Sequence, residues 1–151
     1  MSSMEDDKLH DPLLLSNQLC FPLYACSREV IKLYRPMLDS IDLTYTQYIT
    51  MMVLWECEKM SVKELGKRLY LDSGTLTPVL KSLEAKGFVY RKRSPEDERV
   101  LIAGITPEGR ELREKAASIP ENMGSCIKIE PGEAAELYRL LYKILGSIGK
   151  E

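Results

Sequence analysis

Apolar residues recur at gaps of three and four along the first third of the chain, which is the spacing of one face of a helix. Between Pro12 and about Asp39 these positions form a single stripe: Leu19, Leu23, Cys26, Val30, Leu33 and Met37. Pro22 interrupts the stripe near its start, and proline is tolerated only in the first turn of a helix. The pattern therefore predicts a long helix that either begins near Phe21 or is kinked beside Cys20. In both cases Cys20 lies close to free N–H groups, which favour a thiolate.

The middle of the chain predicts three shorter helices. The segment DLTYTQYITMMVLWE is the first, with Thr44 as its N-cap. Ser61, followed three residues later by Glu64, indicates a capping box that opens the second. After the turn YLDSG, a third helix covers residues 75–86, and Gly87 terminates it. Two short helices joined by a tight turn form a helix-turn-helix.

The periodicity changes after this third helix. The segments FVYRKRS and RVLIAGI alternate around PEDE, which predicts a β-hairpin with a charged tip. TPEG then opens a helix from Pro107 to about Ala117, with proline at its first position. The segment SIPENMGSCIKIEPGE is rich in proline and glycine and predicts a loop. The last helix starts near Pro131 and has an apolar stripe at Leu137, Leu140, Leu141, Ile144, Leu145 and Ile148.

Composition and charge restrict the class of protein. The chain has 151 residues, 44% of them hydrophobic, which suits one domain with a real core. No run approaches the roughly 18 apolar residues of a membrane span, and the acidic start MSSMEDDKLHD is unlike a signal peptide, so we expect a cytoplasmic protein. The net charge of −2 is uneven, because residues 61–93 contain eight basic and three acidic side chains. Such a block indicates either a polyanion partner or a solvated helical face.

The four cysteines are Cys20, Cys26, Cys57 and Cys126. None forms a C-x-x-C motif, so a zinc ribbon and a thioredoxin-type dithiol are both disfavoured. The only histidine, His10, lies in the polar leader, which argues against a Ser–His or Cys–His enzyme. We therefore expect no metal, no cofactor and no enzymatic activity. Cys26 lies on the apolar stripe and is expected in the core. Cys57 lies at the end of the helix that Thr44 caps and has no evident partner.

Two segments resemble one family of regulators. YLDSGTLTPVLKSLEAKGFVYRKRSPEDERV is similar to the recognition helix and wing of the MarR-family transcriptional regulators, and Asp97 and Arg99 match the acidic-x-Arg pattern of that wing. NQLCFPLYACSRE resembles the sensing segment of the organic hydroperoxide resistance repressors within that family. The resemblance extends over essentially the whole chain. It implies a homodimer that binds double-stranded operator DNA and releases it when organic hydroperoxides oxidise Cys20.

The order of elements and this resemblance predict a mainly α fold with a small β-hairpin wing, a winged helix-turn-helix in a MarR-like dimer. The long terminal helices are too apolar to remain exposed, and we expect them to form a homodimer interface. We accordingly divide the chain into three parts. Residues 12–40 form an N-terminal dimerisation and sensing helix, residues 41–105 the DNA-binding winged helix, and residues 106–151 the C-terminal dimerisation helices.

Eight residues are predicted to form the DNA-binding site: Ser73, Thr75, Thr77, Arg91, Lys92, Arg93, Asp97 and Arg99. The three short hydroxyl side chains begin the recognition helix and can reach bases or phosphates, although capping alone would explain Ser73. The basic run at residues 91–93 would face phosphates, and Arg99 would enter the adjacent minor groove. As the resemblance implies, Asp97 would pair with an arginine and hold the shape of the wing.

Two tyrosines are candidates for contact with the sensing sulfur. Tyr24 is one helical turn from Cys20, whereas Tyr34 is about 21 Å away along a straight helix. Tyr34 can therefore reach Cys20 only from a second subunit. The resemblance implies that both tyrosines donate hydrogen bonds to the reactive sulfur across the dimer. From spacing alone they are equally well explained as ordinary aromatic residues of a helix surface.

The sequence leaves two questions open. Cys126 is either a resolving thiol, as in the two-cysteine members of the family, or an incidental loop cysteine. The function itself has two alternatives to redox sensing. The chain could be a MarR-type regulator that answers a small apolar or phenolic ligand, with Cys20 as packing only, or a thiol peroxidase, which the single histidine and the basic winged helix disfavour.

Overall fold

The computed structural model describes residues 2–149, and the backbone of this range falls into two units that divide between Ile119 and Pro120. The elements are, in chain order, α1 (Ser2–His10), a 3₁₀ turn (Leu15–Asn17), α2 (Cys20–Asp39), α3 (Tyr45–Cys57), β1 (Lys59–Ser61), α4 (Val62–Leu69), α5 (Ser73–Ala85), β2 (Val89–Arg93), β3 (Leu101–Ile105), α6 (Pro107–Ala116), α7 (Ile119–Cys126) and α8 (Pro131–Ser147). This is the mainly α fold with a winged helix-turn-helix that the sequence predicts. Among residues 2–149, none of the helices has the length and apolar character needed to cross a bilayer.

The predicted long N-terminal helix begins one residue after Leu19, the first residue of its apolar stripe. Helix α2 begins at Cys20, so that Pro22 falls in its first turn, where proline lacks only an N–H group that would be free in any case. Of the two alternatives, a helix that begins near Phe21 is therefore the correct one. The preceding residues leave the helical path because the Asn17 amide donates to the carbonyl oxygens of Lys8 and Asp11, at 3.0 and 2.8 Å.

Side-chain caps fix the starts of the central helices. At α3 the cap is reciprocal, since the Thr44 hydroxyl accepts from the Gln47 backbone N–H and the Gln47 side chain accepts from the Thr44 N–H. At α4 the Ser61 hydroxyl accepts from the Glu64 N–H at 3.1 Å. The Glu64 carboxylate lies 3.7 Å from Lys67 and does not complete the predicted capping box.

The recognition helix begins two residues before its predicted start. Its N-cap is Asp72, whose carboxylate accepts from the Thr75 backbone N–H at 2.7 Å. This hydrogen bond lowers the pKa of Asp72. Ser73 is thus the first residue of α5 and not its cap. The helix ends where Gly87 adopts a φ of +83°, a conformation that glycine tolerates without strain.

The predicted hairpin is present and belongs to a three-stranded antiparallel sheet with strand order β1-β3-β2. In the hairpin Val89 lies opposite Ile105, and Arg93 lies opposite Leu101. Strand β1 was not predicted, because three residues are too few to show a period of two. Its Met60 pairs with Ala103 of β3, which ties the start of α4 to the wing.

The buried core of the first unit fixes the helix-turn-helix on the sheet. One cluster consists of Val53, Leu65, Leu76, Leu80 and Ala103. The turn between α4 and α5 approaches its own backbone closely at Gly66. A Cβ atom there would lie 2.7 Å from the Leu71 carbonyl oxygen, so only glycine fits. The angle between the two helices is consequently set by packing and by this close approach.

The last part of the chain differs from the prediction in one element, α7, and agrees with it in another, α8. Residues 119–126, predicted as a loop, form α7. Proline is accommodated in the first turn of this helix, and Ile119 and Met123, four residues apart, are both buried. Helix α8 starts at Pro131 as predicted. Its apolar stripe includes exposed side chains at Leu137, Leu140 and Ile144.

Candidate DNA-binding surface and redox site

Helix α5 presents one polar face away from the core. Its side chains Leu76, Leu80 and Leu83 are almost completely buried, which leaves the first turn outside. Ser73 and Thr75 are exposed, and Thr77 is half-buried. The three hydroxyl side chains predicted to contact DNA thus share the N-terminal end of the helix.

The basic run of β2 divides into one paired residue and two accessible ones. Arg91 is only 19% exposed, and its Nε atom lies 3.2 Å from Glu84 of α5. This ion pair, which sequence reasoning missed, joins the strand to the recognition helix. Lys92 is exposed above the Tyr90 ring, with Nζ 5.6 Å from the ring centroid, and Arg93 is exposed as well. Lys92 and Arg93 are therefore the free cations of this strand.

The tip of the wing is organised by Asp97 and Arg99. The carboxylate accepts the backbone N–H and two guanidinium N–H groups of the arginine. The Arg99 guanidinium and, to a smaller extent, its backbone N–H lower the pKa of Asp97. The expected arginine partner of Asp97 is therefore the same residue that was predicted to enter the minor groove.

Cys20 is an exposed thiol at the first residue of α2. The preceding residue, Leu19, makes no side-chain cap, so the first turn of the helix lacks the usual acceptor for its N–H groups. Leu19, Phe21 and Leu23 are also exposed. Cys20 thus stands at an uncapped helix start and has exposed apolar neighbours in sequence, which suit an apolar reactant.

The two predicted tyrosines differ in their surroundings. The Tyr24 hydroxyl accepts from Arg28 at 2.7 Å, and the guanidinium carbon lies 5.5 Å from the ring centroid. Tyr34 packs against Tyr45 and Tyr48 of α3, with ring centroids 5.0 and 5.8 Å apart. Burial, and secondly the nearby Tyr45, raise the pKa of Tyr34, which therefore stays a protonated hydrogen-bond donor at neutral pH. Within residues 2–149 neither hydroxyl bonds to Cys20 of the same chain.

The other cysteines differ from expectation. Cys26 was predicted in the core but is exposed, because α2 buries only Leu38 near its C-terminal end. Cys126 was predicted in a loop but is the exposed last residue of α7. Cys57 has a partner that the sequence did not reveal, since the Arg68 guanidinium donates to its sulfur at 3.1 Å. All four thiols are free.

Metal chemistry finds no support in the part of the chain that is described. Residues 2–149 contain no group of three His, Cys, Asp or Glu side chains close enough to hold an ion.

Comparison with known proteins identifies the family. The sequence profile of the transcriptional regulators SarA/Rot matches residues 32–116. The chain is 46% identical over 138 residues to the organic hydroperoxide resistance transcriptional regulator of Bacillus subtilis strain 168, with 91% of this chain and 94% of that protein covered. The fold and these matches define a winged-helix transcriptional regulator. The chain belongs to the MarR/SarA family, which confirms the resemblance seen in the sequence.

Solved structures give the same result. Reduced AbfR bound to DNA superimposes with a TM-score of 0.73 at 34% identity, covering 91% of this chain and 96% of that chain. Disulfide-formed AbfR superimposes with a TM-score of 0.63 at 34% identity, covering 96% and 99% of the two chains. AbfR is a protein of Staphylococcus epidermidis.

Proposed function

We propose that this chain is a redox-sensing transcriptional repressor, which binds operator DNA as a homodimer and releases it when an organic hydroperoxide oxidises Cys20. The proposal rests chiefly on the position of Cys20, which is an exposed thiol at an uncapped helix start. The same chain contains a winged helix, the element that would bind DNA. The name of the Bacillus subtilis relative supports the organic hydroperoxide as signal.

The DNA-binding part is the winged helix of residues 41–105. Helix α5 enters the major groove with Ser73, Thr75 and Thr77, while Arg99 reaches the minor groove from the wing. In this arrangement Lys92 and Arg93 contact phosphates, because they are the exposed cations of β2. A DNA-binding regulator acts where the genome is, so we place the protein in the cytoplasm.

The redox step is a two-electron oxidation of sulfur. The Cys20 thiolate attacks the terminal oxygen of the hydroperoxide, the O–O bond breaks, and the alkoxide leaves and takes a proton from solvent to become an alcohol. The sulfur becomes a sulfenic acid, which is larger than the thiolate and a poorer hydrogen-bond acceptor. One peroxide is consumed for each thiol, so the reaction is stoichiometric and the protein is not an enzyme.

Dimerisation couples the oxidation of Cys20 to DNA binding. The exposed apolar side chains of residues 12–40 and 106–151 are the surfaces through which two copies associate. In the dimer Tyr24 and Tyr34 of the partner subunit donate hydrogen bonds to the Cys20 sulfur. Loss of these bonds moves the subunits, and the two recognition helices then depart from the half-site spacing of about 34 Å.

A mobility-shift assay tests this function. The probe is a duplex that the reduced protein selects from a random-sequence library, and the oxidant is cumene hydroperoxide. We expect the reduced protein to retard the duplex, the oxidant to release it, and dithiothreitol to restore the complex. Retardation that is insensitive to the oxidant would contradict the proposal.

One observation favours a second candidate function. A groove of about 300 Å³ lies between α2 and α3 and is lined by residues that include Ile31, Arg35, Leu38 and Tyr45. The lining also contains the Asp39 carboxylate, so one arginine and one acid beside apolar and aromatic side chains suit a small neutral phenol. Release of the duplex by phenol in the Cys20→Ser variant would favour this ligand-responsive regulator over the redox sensor.

A further inference from the structure

A buried polar cluster joins the start of α3 to the end of the recognition helix. Gln47 is 6% exposed, yet its side chain makes three hydrogen bonds. Its Oε1 atom accepts from the Thr44 backbone N–H and from the Lys86 ammonium, both at 3.0 Å. Its Nε2 atom donates to the Ser82 hydroxyl at 2.9 Å. Most of the hydrogen-bonding capacity of the Gln47 amide is therefore occupied, so its position is sensitive to any shift of the neighbouring elements.

Lys86 extends this cluster to the turn between α2 and α3. Its ammonium donates to the Asp42 carbonyl oxygen at 2.5 Å and lies 3.6 Å from the Asp42 carboxylate. Asp42 has a φ of +56°, which is uncommon for a residue other than glycine. A backbone in this region persists where surrounding contacts hold it. Lys86 supplies two such contacts from the end of α5.

The opposite side of α3 contacts the proposed sensing helix. Tyr45 and Tyr48 flank Gln47 in sequence, and both pack against Tyr34 of α2. The first turn of α3 is thus in contact with the tyrosine that responds to the partner's sulfur and, through Gln47, with Ser82 and Lys86 of the DNA-reading helix. Within the described residues no other polar side chain of α3 bonds to α5.

We propose that Gln47 and Lys86 are positioning residues through which the oxidation state of Cys20 sets the orientation of α5. A displacement of Tyr34 moves the first turn of α3, and the directional bonds of Gln47 transmit that movement to Ser82 and Lys86. The inference rests on the proposed function, since it concerns how oxidation reaches the DNA-binding helix. It assigns to a cluster remote from both the thiol and the DNA the role of coupling them.

The test measures one ratio, the dissociation constant of the oxidised form for DNA divided by that of the reduced form. The dissociation constant for the selected duplex is measured for each form of the wild type, Gln47→Met, Lys86→Met and Ser82→Ala, with Cys20 oxidation followed by mass spectrometry. We expect Cys20 to react at the wild-type rate in every variant, while the ratio falls by about tenfold in Gln47→Met and Lys86→Met. Lys86→Arg, which keeps the charge and the donor, should retain most of the ratio.

Controls separate this role from a merely structural one. Lys115→Met makes the same change at an exposed position of α6 and should leave the ratio unchanged. Unchanged ratios in variants that remain folded would overturn the inference. If Gln47→Met fails to fold, Ser82→Ala decides, because it removes a single hydrogen bond, and a wild-type ratio there would overturn the inference. A wild-type protein whose affinity does not respond to oxidation would instead overturn the proposed function.

Discussion

Both carboxylate oxygens of Asp97 contact the guanidinium of Arg99, with distances of 3.1 Å from Nε to Oδ1 and 3.2 Å from Nη2 to Oδ2. The Arg99 backbone N–H donates to the same carboxylate at 3.0 Å. The arginine side chain is nevertheless 90% exposed. Asp97 therefore orients the arginine at the tip of the wing without covering its charge. Such an arrangement prepares a cation for contact with DNA at little cost in side-chain entropy.

Replacing Arg99 by alanine should weaken operator binding and leave the dimer intact. Loss of one arginine contact to DNA costs about 1–3 kcal/mol. The slope of log affinity against log salt concentration should become shallower by about one, because one counterion fewer is released. Titrations of the selected duplex at several salt concentrations measure both quantities. Arg113→Ala, at an exposed position of α6, is the matched control. Equal affinities of Arg99→Ala and the wild type at physiological salt would refute the assignment of the wing.

The Asp97–Arg99 pair also predicts how stability depends on pH. The pair lowers the pKa of Asp97 in the folded protein, so folding favours the carboxylate form. Its contribution is complete above the unfolded pKa of about 3.9 and is lost as the pH falls through the lower folded value. The difference in free energy of unfolding between wild type and Asp97→Asn should therefore be largest at neutral pH and shrink in acid. Urea unfolding across this range measures it, and a difference that grows in acid would contradict the pairing.

Thr106 links the end of the hairpin to the start of α6. Its hydroxyl donates to the Gly87 carbonyl oxygen at 2.6 Å and accepts from the Gly109 N–H at 3.0 Å. We expect Thr106→Ala to lower the free energy of unfolding by about 1–2 kcal/mol, the usual effect of losing an N-cap. Thr106→Ser keeps the hydroxyl and should retain most of the stability. Equal urea midpoints for the serine and alanine variants would show that the cap contributes nothing.

The fate of the oxidised sulfur depends on Cys126. A sulfenic acid condenses with a nearby thiol to give a disulfide and water. We predict that oxidised wild type runs as a disulfide-linked dimer on a non-reducing gel, and that Cys126→Ser removes this band. Cys57→Ser should leave it intact, as should Cys26→Ser, because six helical residues separate Cys26 from Cys20 by about 9 Å, beyond the reach of a disulfide. Oxidised wild type that releases DNA but stays monomeric on the gel would establish the one-cysteine mechanism.

Local signals in the sequence predicted most of the fold. The cap residues Thr44 and Thr106, the turn at Gly87 and the alternation of the hairpin act over a few residues and need no tertiary partner. The errors have local causes as well. Strand β1 is too short to show a period, and α7 was hidden because its proline and glycine are also typical of loops.

Sequence reasoning missed several side-chain contacts between residues that lie in different elements of the chain. Gln47 and Ser82 are 35 residues apart, and no local pattern indicates their hydrogen bond. The same holds for Arg68, which is 11 residues from Cys57. The burial of Cys26 was wrongly predicted because an apolar stripe identifies a face without saying what covers it. Pro22 limited the surroundings of Cys20 to a helix start or a kink, and the structure decides for the helix start.

The central claim is that oxidation of Cys20 itself releases DNA. The most direct measurement titrates the protein–duplex complex with cumene hydroperoxide and records, in the same samples, the fraction of Cys20 oxidised by mass spectrometry and the fraction of duplex released. For wild type the two fractions should rise together and reach completion near one peroxide per thiol. Cys20→Ser should bind the duplex and keep it at every peroxide concentration, because serine has no oxidisable sulfur. Release of the duplex by Cys20→Ser, or full oxidation of wild-type Cys20 without release, would contradict the claim.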